Sequence, residues 1–213
     1  MLDVALMVSQ LSEAVLDVIA DALVDKGYIF LPELVPSHIS QVLLEKVRTT
    51  EIHELKAASI GRGAEQQLNP DIRRDRIQWL EEQHEPDSLY LDLMMQLKDG
   101  LNRRLFMGLF DYESHYAVYQ PGAFYKKHVD ALKGSQNRIL TTVFFLNPDW
   151  TPADCGELII YDEADNVIER IAPKMGHFVI FLSERFPHEV TKTLAQRNSI
   201  AGWFRVSTSM HGF

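Results

Sequence analysis

The stretch RILTTVFFLNPDWTPADCGELIIYDEADNVIERI, Arg138 to Ile171, decides the fold class. It holds three short apolar runs, ILTTVFFL, ELIIY and NVIERI, dense in β-branched and aromatic residues and separated by Asn, Pro, Asp and Gly. Such side chains pack well on a pleated surface, and runs of this length between turn residues read as strands. The texture continues on both sides: AVY ends at Tyr119, and HFVIF, EVTKT and SIAGWF follow between His177 and Phe204. An all-β core is therefore expected over residues 111–206, arranged as a double-stranded β-helix, or jelly roll, of two sheets.

Upstream the period changes. Leu11, Val15, Val18, Ile19, Ala22 and Leu23 recur at helical spacing, with Ser12 as cap and Gly27 as stop, which predicts a helix over 11–26. A short strand at Tyr28–Leu31 follows, then a helix over about Ile39–Val47 and another over about Ser88–Phe106, where Leu89, Leu93, Leu97, Leu101 and Leu105 step by four. Residues 1–110 are expected to brace one face of the sheet and to supply a loop at its edge. No repeat or linker divides the chain, and 213 residues that are 46% hydrophobic can fill one core, so a single α+β, mainly β domain over 1–213 is expected.

The net charge of −9 argues against a nucleic-acid partner, because phosphate binding relies on clustered Lys and Arg. DIRRDR, Asp71 to Arg76, is a local exception close to Trp79: either a solvated, internally paired loop or a substrate-contacting surface. The opening segment has no basic n-region and carries Asp3, Glu13, Asp17 and Asp21, so neither a secretory signal nor a membrane span is expected, and a cytoplasmic location is. The lone Cys155 fits a reducing compartment and cannot by itself build a thiolate metal site. Any metal has to be held by His and carboxylates.

Among eight histidines, His128 stands out because HVD places it two residues from Asp130, and alternate residues of a strand point to the same side. His188, in the turn-like FPHEV, can complete a set of two histidines and one carboxylate across the two sheets. Such a facial triad leaves open positions for a chelating 2-oxo acid and O2 on iron(II). HxD alone is a common triplet. Its weight here comes from Arg197, which opens RNSIAGWF with Ser199, Ala201 and Trp203 on one strand face. Small side chains beside a guanidinium leave room for a slender dicarboxylate, and a buried arginine needs a partner such as a bidentate carboxylate.

DIRRDRIQWL (Asp71–Leu80), YQPGAFYKKHVD (Tyr119–Asp130), RILTTVFFLNPDW (Arg138–Trp150), CGELIIY (Cys155–Tyr161), HFVIFLSERFPHEV (His177–Val190) and RNSIAGWF (Arg197–Phe204) follow one another in a recognisable order. Through them the region from Asp71 to Phe204 resembles the prolyl hydroxylase domain oxygenases, iron(II)- and 2-oxoglutarate-dependent dioxygenases that include the animal oxygen-sensing enzymes and bacterial relatives. The resemblance implies His128, Asp130 and His188 as the catalytic iron ligands and Arg197 as the anchor for the distal carboxylate of 2-oxoglutarate. It implies Tyr119, Tyr125, Val143, Ile159, Val190 and Trp203 as lining of the cosubstrate pocket. Phe145 stands where the animal enzymes have a tyrosine whose hydroxyl helps bind that carboxylate, so either Thr141, Tyr125 or Ser199 is expected to substitute or cosubstrate binding is expected to be weaker.

The same resemblance implies O2 as co-reactant, ascorbate as a reductant, and a protein with an exposed proline as substrate, with elongation factor Tu a candidate. Arg73, Asp75, Arg76 and Arg138 are expected at the mouth where such a polypeptide would lie. A monomer or weak dimer is expected, without an animal-type C-terminal helix. Three other readings stay open: the same chemistry on a free amino acid or small molecule, a metal-binding jelly-roll module without oxygenase activity, and a zinc hydrolase using Glu189 beside His188.

Overall fold

A computed structural model describes residues 10–59, 68–131 and 137–207. Helix α1 spans Glu13–Asp25, α2 Ser37–Thr49 and α3 Asp87–Leu105. Ser12 caps α1 by accepting from the Val15 amide at 3.3 Å, and Gly27 ends it at φ +83°, a conformation that glycine adopts without steric cost. The third helix ends one residue before Phe106, which takes the left-handed conformation.

The strands are β1 (Tyr28–Leu31), β2 (Lys56–Ala57), β3 (Arg76–Trp79), β4 (Leu109–Tyr119), β5 (Tyr125–His128), β6 (Arg138–Phe145), β7 (Leu158–Tyr161), β8 (Val167–Ile171), β9 (Phe178–Leu182), β10 (His188–Val190) and β11 (Arg197–Val206). They form a seven-stranded sheet ordered β1-β9-β6-β11-β4-β3-β2 and a four-stranded sheet ordered β5-β10-β7-β8. Every ladder between them is antiparallel. This is the two-sheet jelly roll expected from the sequence.

The period-2 alternation of the central strands divides the core. Leu140 and Phe144 of β6, Phe178 and Ile180 of β9, Ile200 and Phe204 of β11 and Tyr116 of β4 pack against the helices. Their neighbours Val143, Phe145, Val179, Phe181, Ala117 and Tyr119 face the space between the sheets. Both faces of the large sheet are thus covered, which is why its strands read as continuous apolar runs.

Three differences from the sequence expectations have local causes. β4 begins at Leu109, well before AVY, because its polar residues Asp111 and Glu113 are held by Arg205 of the neighbouring strand. Arg76–Trp79 is a strand, with the preceding DIRR segment laid against β5 through Lys126 N to Ile72 O at 2.9 Å and Arg74 N to Phe124 O at 3.0 Å. The EVTKT run is a strand only as far as Val190.

Candidate active site

The three ligand candidates meet between the sheets. His128 ends β5, His188 opens β10, and the two are register partners across that ladder. Asp130 lies in the bend after β5 rather than on the strand. Its carboxylate still reaches both rings: Oδ1 is 3.5 Å from His128 Nε2 and Oδ2 is 3.5 Å from His188 Nε2. One ligand atom from each residue lies within 4.8 Å of the others, a spacing that can enclose a single ion.

The backbone sets both tautomers. His128 Nδ1 donates to the Lys126 carbonyl at 2.8 Å, and His188 Nδ1 donates to the Phe186 carbonyl at 3.0 Å. Each Nε2 is left as a lone pair directed at Asp130, the form that binds a metal. Burial pushes the His188 pKa down to about 4. Burial alone would raise the Asp130 carboxyl, whereas the positive charge of the His188 and His128 rings, when they are protonated, draws it well below the usual range. Two imidazoles and one carboxylate form a ligand set that suits a divalent iron.

Arg197 occupies the far end of the same space with 1% of its surface exposed. Its Nε donates to the Gly156 carbonyl at 2.9 Å and Nη1 to Ser199 Oγ at 3.2 Å, while Nη2 is buried without a hydrogen-bond partner. The guanidinium lies 4.8 Å from the Tyr119 ring and 5.1 Å from the Phe145 ring. None of these neighbours is a paired carboxylate, so a buried cation is left with an orphan donor, an arrangement that is costly unless an anionic ligand completes it. A dicarboxylate whose other end chelates the metal fits both features.

The cavity joining these groups encloses about 760 Å³. Of the residues expected to line it, Tyr119, Tyr125, Thr141, Val143, Val190 and Trp203 do. Tyr125 stacks on His128 at 3.6 Å, and Thr141 donates to Asp130 rather than facing Arg197. Ser199, in contact with Arg197, is the hydroxyl nearest to the task that Phe145 cannot perform. Ile159 falls outside the lining and Leu158 takes its place: β7 pairs Leu158 with Val190 and Ile159 with Glu189, so alternation puts Ile159 on the other face. Glu189 shares that outer face and accepts from the Tyr161 hydroxyl at 2.5 Å, so it lies on the side of β10 away from the cavity.

At the mouth, Arg73 and Arg138 line the cavity, whereas Asp75 and Arg76 do not. Asp75 is buried and binds Arg73 through two contacts of 2.6 and 2.8 Å, so its part is to fix that guanidinium over the Tyr125 ring. Arg76 turns outward and donates to the Leu55 carbonyl at 3.2 Å. Arg138 pairs with Glu113 at 2.7 Å and lies 3.5 Å over the Trp203 ring. Further lining residues went unread in the sequence, among them Lys56, Trp79 itself and His115. Extending AVY two residues upstream by strand alternation would have put His115 beside Ala117 and Tyr119.

Comparison with known proteins agrees with this geometry. The 2OG-Fe(II) oxygenase superfamily profile matches residues 114–205. A prolyl-4-hydroxylase from Pseudomonas putida is 35% identical, with a TM-score of 0.81 over 89% of this chain and 98% of that one. A prolyl hydroxylase from Trichoplax adhaerens, solved with a hypoxia inducible factor oxygen degradation domain peptide, shares the fold at 24% identity, TM-score 0.75, over 91% and 90% of the two chains. The viral collagen prolyl hydroxylase of Paramecium Bursaria Chlorella virus-1 shares it at 15% identity and TM-score 0.61, over 86% and 98%. The chain belongs to the prolyl hydroxylase family of 2OG-Fe(II) oxygenases and is a dioxygenase.

Proposed function

We propose that this enzyme hydroxylates a prolyl residue of a protein, with His128, Asp130 and His188 holding iron(II) and Arg197 holding 2-oxoglutarate. The observation that carries the cosubstrate assignment is the buried, unpartnered Nη2 of Arg197 at the end of a cavity that begins at the His–Asp–His cluster. When bound, the iron supplies O2 activation coupled to oxidative decarboxylation of 2-oxoglutarate to succinate and CO2. The chain's own part is positional. Backbone carbonyls fix the two imidazole tautomers, and Thr141 holds one carboxylate oxygen of Asp130. Val143, Leu158 and Val190 wall the cosubstrate pocket with apolar surface that excludes water.

A polypeptide substrate is favoured over a free amino acid by the mouth. It draws on Lys56, Arg73, Trp79 and Arg138, from β2, the DIRR segment, β3 and β6, so side chains of four separate segments are available to a polypeptide. Elongation factor Tu is the candidate protein, and ascorbate is the proposed reductant that keeps the iron divalent between turnovers. The enzyme works as a monomer or weak dimer in the cytoplasm; among the described residues no helix is long and apolar enough to cross a membrane.

The test is mass spectrometry. Purified elongation factor Tu and a panel of prolyl peptides are incubated with the iron-loaded enzyme and 2-oxoglutarate. A single added oxygen on proline, in step with succinate, is expected. Oxygen appearing only on small molecules would replace the polypeptide assignment with the small-molecule one.

A further inference from the structure

His115 is used by none of the chemistry above, yet it stands inside the site. β4 places it on the cavity face with Ala117 and Tyr119, and only 1% of its surface is exposed. Two indoles enclose it: the Trp79 ring lies perpendicular at 5.2 Å and the Trp203 ring is tilted at 5.5 Å. Nδ1 is 3.1 Å from the Tyr116 carbonyl, which can only accept, so Nδ1 carries the hydrogen and Nε2 is a bare lone pair. Among the described residues nothing donates to that lone pair.

We infer that His115 is a substrate-binding residue whose Nε2 accepts a hydrogen bond from a backbone amide N–H of the bound polypeptide. The inference rests on the protein-substrate assignment above. Nε2 faces the cavity, where water can meet it in the free protein, so a bound chain that displaces this water has to supply a donor in its place. The cosubstrate cannot, because 2-oxoglutarate at neutral pH presents only acceptor oxygens. A cationic donor is disfavoured. Burial first, then the Arg73 and Arg138 guanidinium groups, drive the imidazole pKa down to about 4 against the opposing pull of Asp75, and the same positive field repels an ammonium. A neutral N–H remains, and an extended chain passing Trp79 toward the metal offers one at every residue other than proline. His115 thereby sets the register of the chain so that one prolyl ring faces the iron ligands.

Acetylated, amidated prolyl peptides are compared with the same peptides N-methylated at single amides flanking the proline, and kcat/KM is measured for each pair with wild type, His115→Leu and His115→Gln. Wild type is expected to prefer the N–H form by about tenfold at one amide, the worth of one hydrogen bond. His115→Leu should reduce that preference to within about twofold, and His115→Gln, which keeps an acceptor, should restore part of it. Undiminished discrimination in His115→Leu overturns the inference while leaving prolyl hydroxylation standing. Hydroxylation of no peptide or protein overturns the substrate assignment and the contact with it. Independently of turnover, ¹⁵N NMR of the metal-free protein at pH 7 should show His115 Nε2 unprotonated, and an Nε2–H or an imidazolium signal would contradict the contact directly.

Discussion

Thr141 donates its hydroxyl hydrogen to Oδ2 of Asp130 at 2.8 Å and, having spent that hydrogen, accepts one from Ser183 at 2.9 Å. The Ser183–Thr141–Asp130 chain runs from β6 and the end of β9 to a ligand that sits in a bend rather than on a strand, and it supplies the rigidity the bend lacks. Replacing Thr141 with valine keeps the shape and removes the bond. Loss of such a supporting bond is expected to weaken divalent-metal affinity about ten- to a hundredfold, measured by competition titration with a chelating indicator. Thr141→Ser should retain most of the affinity, and equal affinity in the valine variant would show that Asp130 does not need its partner.

Gly156 joins backbone conformation to cosubstrate binding. It sits at φ +68°, its carbonyl receives Arg197 Nε, and an added Cβ would lie 3.0 Å from Thr193 and 3.2 Å from Arg197 Cδ. Gly156→Ala is expected to cost about 1–2 kcal/mol of stability from the left-handed backbone alone. It should also raise the Kd for 2-oxoglutarate, because Arg197 has to move. Thermal melts and ligand titration of the same variant check both, and a destabilised variant with unchanged Kd would separate them.

Low pH should destabilise the protein partly through His115. Its pKa falls from an ordinary 6.5 to about 4 in the fold, so the unfolded chain takes up the proton first as pH drops. The stability contributed by the buried neutral ring is therefore complete above about pH 6.5 and disappears progressively as pH falls toward 4. Between pH 7 and 4.5 the loss is about 2–3 kcal/mol. Denaturant melts at the two pH values should show that much less pH dependence in His115→Leu, and identical pH dependence would mean the ring is already charged or solvated.

Behind the large sheet, Asp87 is fully buried and accepts from the Tyr116 hydroxyl at 2.8 Å, from Lys46 at 2.7 Å and from the Glu81 amide at 3.1 Å. It ties α2, α3 and β4 together on the face away from the metal. Asp87→Ala leaves a cation and two donors without their acceptor, and a loss of about 3–5 kcal/mol is expected. Metal affinity of the fraction that stays folded should not change, since none of these groups lines the cavity.

The large architecture was legible because burial on both faces makes β6, β9 and β11 long apolar runs, and because α1 and α3 carry clean helical periods. Arg197, Ser199, Ala201 and Trp203 were legible as one face for the same reason of strict alternation, and all four line the cavity. Ile159 was misplaced by one residue, and in a strand one residue is the whole difference between inside and outside. β2 and β3 escaped because they are short: β2 is a two-residue edge strand, and β3, between it and β4, alternates polar and apolar residues over only four positions. His115 escaped because a histidine between Ser114 and Tyr116 has no pattern of its own; only the two indoles that close on it in three dimensions give it meaning.

The most direct measurement is an anaerobic titration of the iron(II)-loaded enzyme with 2-oxoglutarate, following the visible charge-transfer band of bidentate chelation, in wild type and Arg197→Ala. A saturable band in wild type, with an apparent Kd raised at least about tenfold in the variant by the lost charge-assisted bonds, is expected. Tightly bound iron that develops no band, or a band indifferent to Arg197, would contradict the assignment of this cavity to iron and 2-oxoglutarate.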